Sequence, residues 1–427
     1  MRIKITENLY YYPRYRTITE ENSDYANPRT IEVVKDLSKT EQSSVEVLNP
    51  NFSKAAEILL TDECNLECKY CYSGEYRSKQ KMSKEYVREI VKHLFKNAKY
   101  SKLMGSSQET VYILFHGGGE PTLAWDELVE AITYSTELSR IHKIKLKLRL
   151  ATNGMISKER IKYLLDMNVE FRVSLDGIRK VNDQTRVGKN NQSVFNVVAD
   201  NIDIINSHNN KFFIASVVTG DNYNQMTMMT KYCIERWPNI HDIRFFMLED
   251  TLLVRSNGVK PIAMVRYEIE KNKCIEILLD CKIGKYKEYR NITDYYIKNF
   301  SYPCMPSLLH MPVFNCDNNI LRCNAHVFNN DALIGVYNGK IQMSEEKYIE
   351  LHNRLPRINL GCENCISQNN CEFALKYCVD PISHPVDYCS YKKAFFKGIL
   401  INKYEEAKMM KEYLEINNFG IKGIINW

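Results

Sequence analysis

Cys64, Cys68 and Cys71 lie in the stretch TDECNLECKYCYSG at the spacing CxxxCxxC. Thiolates are the usual protein ligands of iron-sulfur clusters, and three on one short loop would wrap a four-iron cluster while leaving one iron without a protein ligand. Something other than protein must complete that iron, which is where chemistry would happen. Taken alone, the motif also fits a zinc site or chance. Further along, HGGGEPTL places Gly117, Gly118, Gly119, Glu120 and Pro121 after His116, and glycines lacking a Cβ let backbone approach a ligand closely. ATNG (Thr152, Asn153, Gly154) and SLDG (Ser174, Asp176) follow, with Arg186 beyond. A bidentate arginine suits a carboxylate. Asn-Gly and Asp-Gly are also ordinary turn pairs, so Asn153 and Asp176 have a purely structural reading as well.

The second half is dense in cysteine: Cys304, Cys316, Cys323, Cys362, Cys365, Cys371, Cys378 and Cys389. Eight thiolates are what two fully ligated four-iron clusters need. CxxC pairs such as Cys362 and Cys365 also hold zinc. Of the fourteen cysteines, Cys233, Cys274 and Cys281 remain, each in an expected helix, and they read as buried apolar residues. So many thiols argue for metal ligation in a reducing compartment rather than for disulfides, and the N-terminus shows no signal-peptide pattern. The expected location is the cytoplasm, with no membrane partner. The net charge of +6, from 58 basic and 52 acidic residues, is too small and too dispersed for a nucleic-acid footprint.

These groups need elements to hold them. From about residue 55 short apolar strands alternate with helical stretches, the pattern of parallel βα units. Six strands are expected: AEILL (56–60), VYILF (111–115), KLKLRLA (145–151), EFRVSL (170–175), FFIASVVT (212–219) and IRFFML (243–248), with a last helix over 262–281. In the third, Lys145, Lys147, Arg149 and Asn153 follow one face; in the fourth, Arg172, Ser174 and Asp176 oppose Phe171, Val173 and Leu175. A strand covered by helices on both sides would be apolar throughout. The polar faces therefore line either a lumen with a charged ligand or an open, solvated side. Residues 1–53 form a polar, tyrosine-rich N-terminal segment, and 396–427 an amphipathic helical tail.

In this order, the motifs resemble the radical S-adenosylmethionine (radical SAM) superfamily, in which an aromatic residue, here Tyr70, precedes the last cysteine of the loop. The resemblance implies an α/β fold with a partial (β/α)6 barrel, over 54–282. It implies a 4Fe-4S cluster on Cys64, Cys68 and Cys71 whose open iron chelates SAM, and an electron that cleaves SAM to a 5′-deoxyadenosyl radical. SAM contacts are implied for Tyr70, for Gly117, Gly118, Gly119 and Glu120 in a GGEP-type motif with an extra glycine, and for Thr152, Asn153, Ser174, Asp176 and Arg186.

Residues 283–395 resemble the iron-sulfur SPASM extension of peptide-modifying members. By that resemblance Cys304, Cys316, Cys323 and Cys378 hold one auxiliary 4Fe-4S cluster, and Cys362, Cys365, Cys371 and Cys389 a second. Two departures stand out: six residues separate Cys371 from Cys378 where three are usual, and Asn319 stands where a glycine is expected. The implied activity is modification of a ribosomally made peptide by crosslinking or residue oxidation, with a precursor peptide or protein as substrate and flavodoxin or ferredoxin as electron donor. A second reading is an anaerobic sulfatase-maturating enzyme. There an aspartate directly after the second-group cysteine acts as base, whereas Asn324 follows Cys323 here, and an amide cannot accept that proton. A third is a non-catalytic iron-sulfur or zinc protein, which would not need HGGGEP. No general base is identified; His116, His326 and Asp317 lie near the cysteine motifs.

Overall fold

Near the N-terminus, β1 (Ile3–Lys4), β2 (Leu9–Tyr12) and β3 (Thr17–Glu20) pair antiparallel in the order β1-β2-β3. The computed structural model describes residues 3–7, 9–12, 17–20, 50–71, 73–74, 77–105, 109–248, 257–298, 311–324, 332–353, 390–402 and 405. The chain divides into two units: Met1–Leu48 with Tyr289–Cys304 and His352–Trp427, and Asn49–Glu288 with Met305–Leu351. In the first, residues 390–402 are helical, and Phe395 sets its ring edge-on against Tyr296 at 5.1 Å.

The second unit carries the expected βα alternation. Its strands β4 (Ala55–Leu59), β5 (Thr110–His116), β6 (Lys145–Thr152), β7 (Glu170–Ser174), β8 (Phe212–Val218) and β9 (Asp242–Met247) pair in parallel and in sequence order. Beside β4 the sheet continues through β10 (Val313–Phe314), β11 (Asn319–Leu321), β12 (Leu333–Tyr337) and β13 (Ile341–Met343). β10 lies parallel to β4, and the other three run antiparallel in turn. The strands β10 to β13 thus extend the parallel sheet as a meander.

Between the strands lie α1 (Lys84–Leu103), α2 (Trp125–His142), α3 (Lys158–Asp166), α4 (Phe195–Asn206), α5 (Met226–Arg236) and α6 (Met264–Asp280). α1 starts where the Ser83 side chain accepts the Tyr86 N–H at 3.2 Å, and it buries Val87, Ile90, Val91, Leu94, Phe95 and Ala98 along one stripe. Ser157 caps α3 in the same way, through Arg160. Asp126 and Glu127 occupy the first turn of α2, where carboxylates complement the helix dipole. α7 (Ile292–Lys298) and α8 (Glu345–Asn353) complete the set. Among the described residues no helix is long and apolar enough to cross a membrane.

The two readings of the polar strand faces both apply, at different depths. Lys145 and Lys147 are exposed at the start of β6. From Arg149 onward the face turns inward: Arg149 pairs with Glu170 of β7 and stacks over Phe213 of β8 at 4.3 Å, reaching across two strands. Cys233 and Cys274 are buried as expected, but Cys281 is exposed. α6 ends at Asp280, so Cys281 is its cap residue, one position past the last packed turn of Leu278 and Leu279.

Candidate active site

The cysteine loop leaves β4 at Leu60 and is held at three points. Thr61 accepts the Glu63 N–H and donates to the Gln80 carbonyl at 2.7 Å, closing the loop at its base. Its middle pairs with a distant segment: Glu67 N–H donates to the Val187 carbonyl at 2.8 Å and Lys69 N–H to the Thr185 carbonyl at 2.9 Å. At its end Cys71 N–H reaches the Cys68 carbonyl at 3.0 Å, a tight turn that sets the CxxC pair side by side. Ser73 then hydrogen-bonds the Gly118 carbonyl and lies 3.2 Å from Cys71 Sγ. The strand pairing brings Arg186 to the loop, although over a hundred residues separate them in sequence.

The glycine turn sits against the other side of this loop. A Cβ on Gly119 would stand 2.0 Å from the Glu63 carbonyl oxygen and 2.5 Å from the Asp62 carbonyl carbon, so only glycine allows the contact. Gly119 N–H donates to the Thr61 carbonyl at 3.0 Å and Glu120 N–H to the Glu63 carbonyl at 2.7 Å. Glu120 is fully engaged within the protein: it accepts from Thr122 N–H, Thr122 Oγ1 and Thr152 Oγ1, and from Asn153 N–H at 2.8 Å. Burial pushes its carboxyl upward, and these donors oppose the shift. Its position makes it the brace between the ends of β5 and β6. Thr152 serves the same turn, accepting the Gly154 N–H at 3.1 Å. Asn153 instead reaches the loop, donating to Asn65 Oδ1 at 2.7 Å and approaching Cys64 Sγ at 3.8 Å.

At the end of β7, Asp176 accepts hydrogen bonds from the Tyr70 hydroxyl and, at 2.8 Å, from the Val217 N–H. Arg186 Nη1 donates to the same Tyr70 hydroxyl at 2.7 Å and lies 3.8 Å from Asp176. Tyr70, Asp176 and Arg186 are thus one buried cluster beside Cys68. Ser174, one step below on the same strand face, makes no hydrogen bond through its hydroxyl among the described residues. Arg77, which the sequence pattern does not mark, donates to the Leu66 carbonyl at 2.6 Å and approaches Cys71 Sγ at 3.5 Å.

The donor set fits an iron-sulfur cluster. Cys64, Cys68 and Cys71 are free thiols on one loop, within electrostatic reach of one another, beside the guanidiniums of Arg77 and Arg186. Burial pushes the Cys68 thiol up to about 11 and raises that of Cys64, so cluster loading displaces protons. Among the described residues no three His, Cys, Asp or Glu side chains stand close enough to hold a single metal ion. A multi-iron cluster is a larger body whose thiolates surround it rather than meet at a point.

Residues 58–233 match the family model of the radical SAM superfamily. This segment is a radical SAM domain. Over 179 residues the chain is 25% identical to a cysteine-type anaerobic sulfatase-maturating enzyme of Clostridium novyi, covering 40% of this chain and 45% of that one. It is also 25% identical over 180 residues to the radical SAM cyclopropyl synthase TigE of Paramaledivibacter caminithermalis, covering 40% and 36%. The chain therefore spans less than half the length of these curated relatives. Among solved structures, native anSMEcpe with bound AdoMet and a Kp18Cys peptide superposes with a TM-score of 0.62 at 20% identity, over 83% of this chain and 99% of that one. Streptococcus suis SuiB bound to precursor peptide SuiA superposes with a TM-score of 0.51 at 16% identity, over 83% and 77%. At such identities the likeness shows the fold, which is that of the partial barrel.

The concave face of the parallel sheet is charged. Glu57 interrupts the apolar β4, is 1% exposed, and accepts from Asn324 Nδ2 at 2.6 Å. His116 Nδ1 lies 3.3 Å from Glu57 Oε1 but has no aligned hydrogen-bond partner. Burial, helped by the charge of Arg172, holds His116 down to about 3, so its ring is neutral at ordinary pH. Arg149 donates to Glu170 through Nε at 3.0 Å, and Arg244 to Asp242 at 3.1 Å.

Of the eight downstream cysteines, Cys316 and Cys323 fall among the described residues; Cys304, Cys362, Cys365, Cys371, Cys378 and Cys389 lie outside them, as does His326. Cys316 lies in the turn between β10 and β11 and Cys323 just after β11, and Gln80, which closes the base of the cysteine loop, donates to the Cys316 carbonyl at 2.9 Å. Burial pushes Cys316 up to about 12, with Asp317 and Asp62 adding to the shift. The hairpin turn needs a positive φ at Asn318 (+63°), one residue before Asn319, which lies in β11. Asparagine tolerates that conformation.

Proposed function

We propose that the chain is a radical SAM enzyme that cleaves S-adenosylmethionine reductively and modifies a ribosomally made peptide or protein, by forming a crosslink or by oxidising a residue. The observation that carries this reading is the pairing of Glu67 and Lys69 with Val187 and Thr185. It gathers the three cysteines, the glycine turn and the Tyr70, Asp176 and Arg186 cluster at one end of the parallel sheet, where such sheets bind ligands.

A 4Fe-4S cluster on Cys64, Cys68 and Cys71 would supply the electron for SAM cleavage, and the cleaved cofactor the hydrogen abstraction. The chain's own residues do the positioning. Backbone of Gly118 and Gly119 lies against the cysteine loop with no side chain in between, and the backbone carbonyls of Gly117, Gly118 and Gly119 would bind the amino end of SAM. Arg186, held by Tyr70 and Asp176, offers its remaining donors to a carboxylate. The Ser174 hydroxyl, without a hydrogen bond among the described residues, lies on the same face. Glu120, Thr152 and Asn153 act through the turn they brace and through the Asn153 contact with the loop. Cys304, Cys316, Cys323 and Cys378, and Cys362, Cys365, Cys371 and Cys389, are proposed as ligands of two auxiliary 4Fe-4S clusters, within a SPASM extension over 283–395. A reduced flavodoxin or ferredoxin in the cytoplasm would be the electron source.

The sulfatase-maturating reading is favoured by the likeness to the Clostridium novyi enzyme. Against it stands Asn324, whose amide is committed to Glu57 and has no proton-accepting carboxylate.

The test is the iron content and 5′-deoxyadenosine yield of anaerobically reconstituted protein, compared with a Cys64, Cys68 and Cys71 triple alanine variant. About twelve irons per chain are expected in the wild type, and about eight with no deoxyadenosine in the variant. Equal deoxyadenosine in both would overturn the proposal. Mass loss in a co-expressed precursor peptide, dependent on the three cysteines, would separate a peptide maturase from a sulfatase-type enzyme.

A further inference from the structure

Arg172 differs from the other two arginines of the concave face, Arg149 and Arg244. It is half-buried, in the middle of β7, and its guanidinium makes no hydrogen bond and no ion pair among the described residues. Its neighbours are committed. Arg149 is held by Glu170, Arg244 by Asp242, and both guanidiniums lie over the Phe213 ring, at 4.3 and 5.3 Å. Glu57 is the acid that acts most strongly on Arg172, yet it is occupied by Asn324 and stands beyond ion-pair distance. A partly desolvated guanidinium with no ion-pair partner gains from a ligand that brings one.

Space and direction point the same way. Arg172 is level with Ala151 on β6 and with Phe213 on β8, and one rung on Ala215 lies opposite Ser174. Phe213 is taken up by the Arg149 and Arg244 guanidiniums, whereas Ala151 ends at a methyl group, so the gap beside the Arg172 guanidinium lies on its β6 side. Ser174 and Asp176 continue the same face toward the cysteine loop, since alternate residues of a strand share a side. The unused Ser174 hydroxyl is a second donor above the gap. His116, continuing the β5 register in which Phe115 lies opposite Leu150, comes level with Ala151 on the other side.

We propose that this gap is a carboxylate-binding site centred on Arg172, through which the protein selects a substrate bearing an acidic side chain or a free C-terminal carboxylate. The inference rests on the reading of the chain as a peptide-modifying radical SAM enzyme. The planar fork of arginine matches the two oxygens of a carboxylate, and an unmodified peptide carries no other anion. Arg149 and Arg244 add positive potential without competing for the ligand. An acid held at Arg172 lies on the same strand face as the Ser174 and Asp176 end of β7, so the site would fix the distance between the anchored residue and the reactive end of the sheet.

The test is calorimetric titration of the cluster-reconstituted, SAM-loaded full chain with three blocked pentapeptides. One carries a central glutamate with an amidated C-terminus, one a central glutamine with an amidated C-terminus, and one the glutamine with a free C-terminal carboxylate. Either carboxylate peptide is expected to bind about tenfold or more tighter than the neutral one, as a charged hydrogen bond in a buried site implies. Which of the two does so identifies the source of the acid. Arg172→Gln is expected to erase the difference, and Arg172→Lys, which keeps the charge and loses the fork, to keep part of it. Equal binding of all three peptides to the wild type overturns the proposal without recourse to any variant, and so does a preference that survives in Arg172→Gln. Deoxyadenosine release by the wild type in the same samples separates the two readings. Its absence refutes the SAM assignment, whereas release without carboxylate preference refutes only the Arg172 site.

Discussion

At the rim of the parallel sheet Glu120 receives four hydrogen bonds from its own protein, and Asp176 and Arg186 are tied together through Tyr70. Two residues further down the strand that carries Asp176 and Ser174, Arg172 has no hydrogen bond or ion pair at all among the described residues. Both regions are polar, enclosed and lined by charged side chains, and they differ in what completes them. The rim is built in advance, which suits a ligand that is the same in every turnover. The middle leaves one strong cation open, which suits a ligand that distinguishes one substrate from another.

Substitutions at the rim should act on stability and cofactor assembly, whereas those in the middle should act on ligand choice. The largest effect is expected for Gly119→Ala, whose new Cβ would collide with the Glu63 and Asp62 backbone. A loss of about 3 kcal/mol in anaerobic urea denaturation, with impaired cluster loading, is expected. Full stability and full iron content would mean that the glycine turn and the cysteine loop are not in contact. Next comes Glu120→Gln, which replaces one acceptor oxygen by a donor facing other donors. About 2 kcal/mol should be lost. If SAM binding fell while stability held, Glu120 would be a direct ligand rather than a brace.

The smallest effect concerns His116. Because the folded protein holds it down to about 3 while the unfolded chain binds a proton near the ordinary histidine value, its contribution to stability is complete above that ordinary value and is lost as pH falls toward 3. Between about pH 7 and pH 5 the denaturation free energy of His116→Asn should fall less steeply than that of the wild type, by at most about 1.4 kcal/mol per pH unit. Parallel slopes would show that His116 titrates normally and that the middle of the concave face is more open to water than its burial implies.

The order of the six strands and the ends of most helices follow from the apolar periodicity and from local caps such as Ser83 and Ser157. Cys281 departs because a helix-wide expectation of burial does not hold at the last position, where the chain turns away from the core. Glu57 had a visible signal, as a lone charge in an apolar strand. Arg77 had none, since nothing in RSKQK distinguishes it from a solvated base.

By itself the sequence determined what depends on neighbours along the chain: the tight Cys68 to Cys71 turn, the glycines after β5, the six βα units. The tertiary structure alone decided what depends on neighbours across the sheet. The pairing of residues 67 and 69 with 187 and 185 carries Arg186 to the cysteines, and that pairing is set by strand order rather than by any local pattern. Arg149, Arg172 and Arg244 look alike in sequence. Glu170 and Asp242 stand where they can neutralise Arg149 and Arg244, while Ala151 and Phe213 stand level with Arg172 on the flanking strands, and packing of separate strands rather than residue type leaves that charge open.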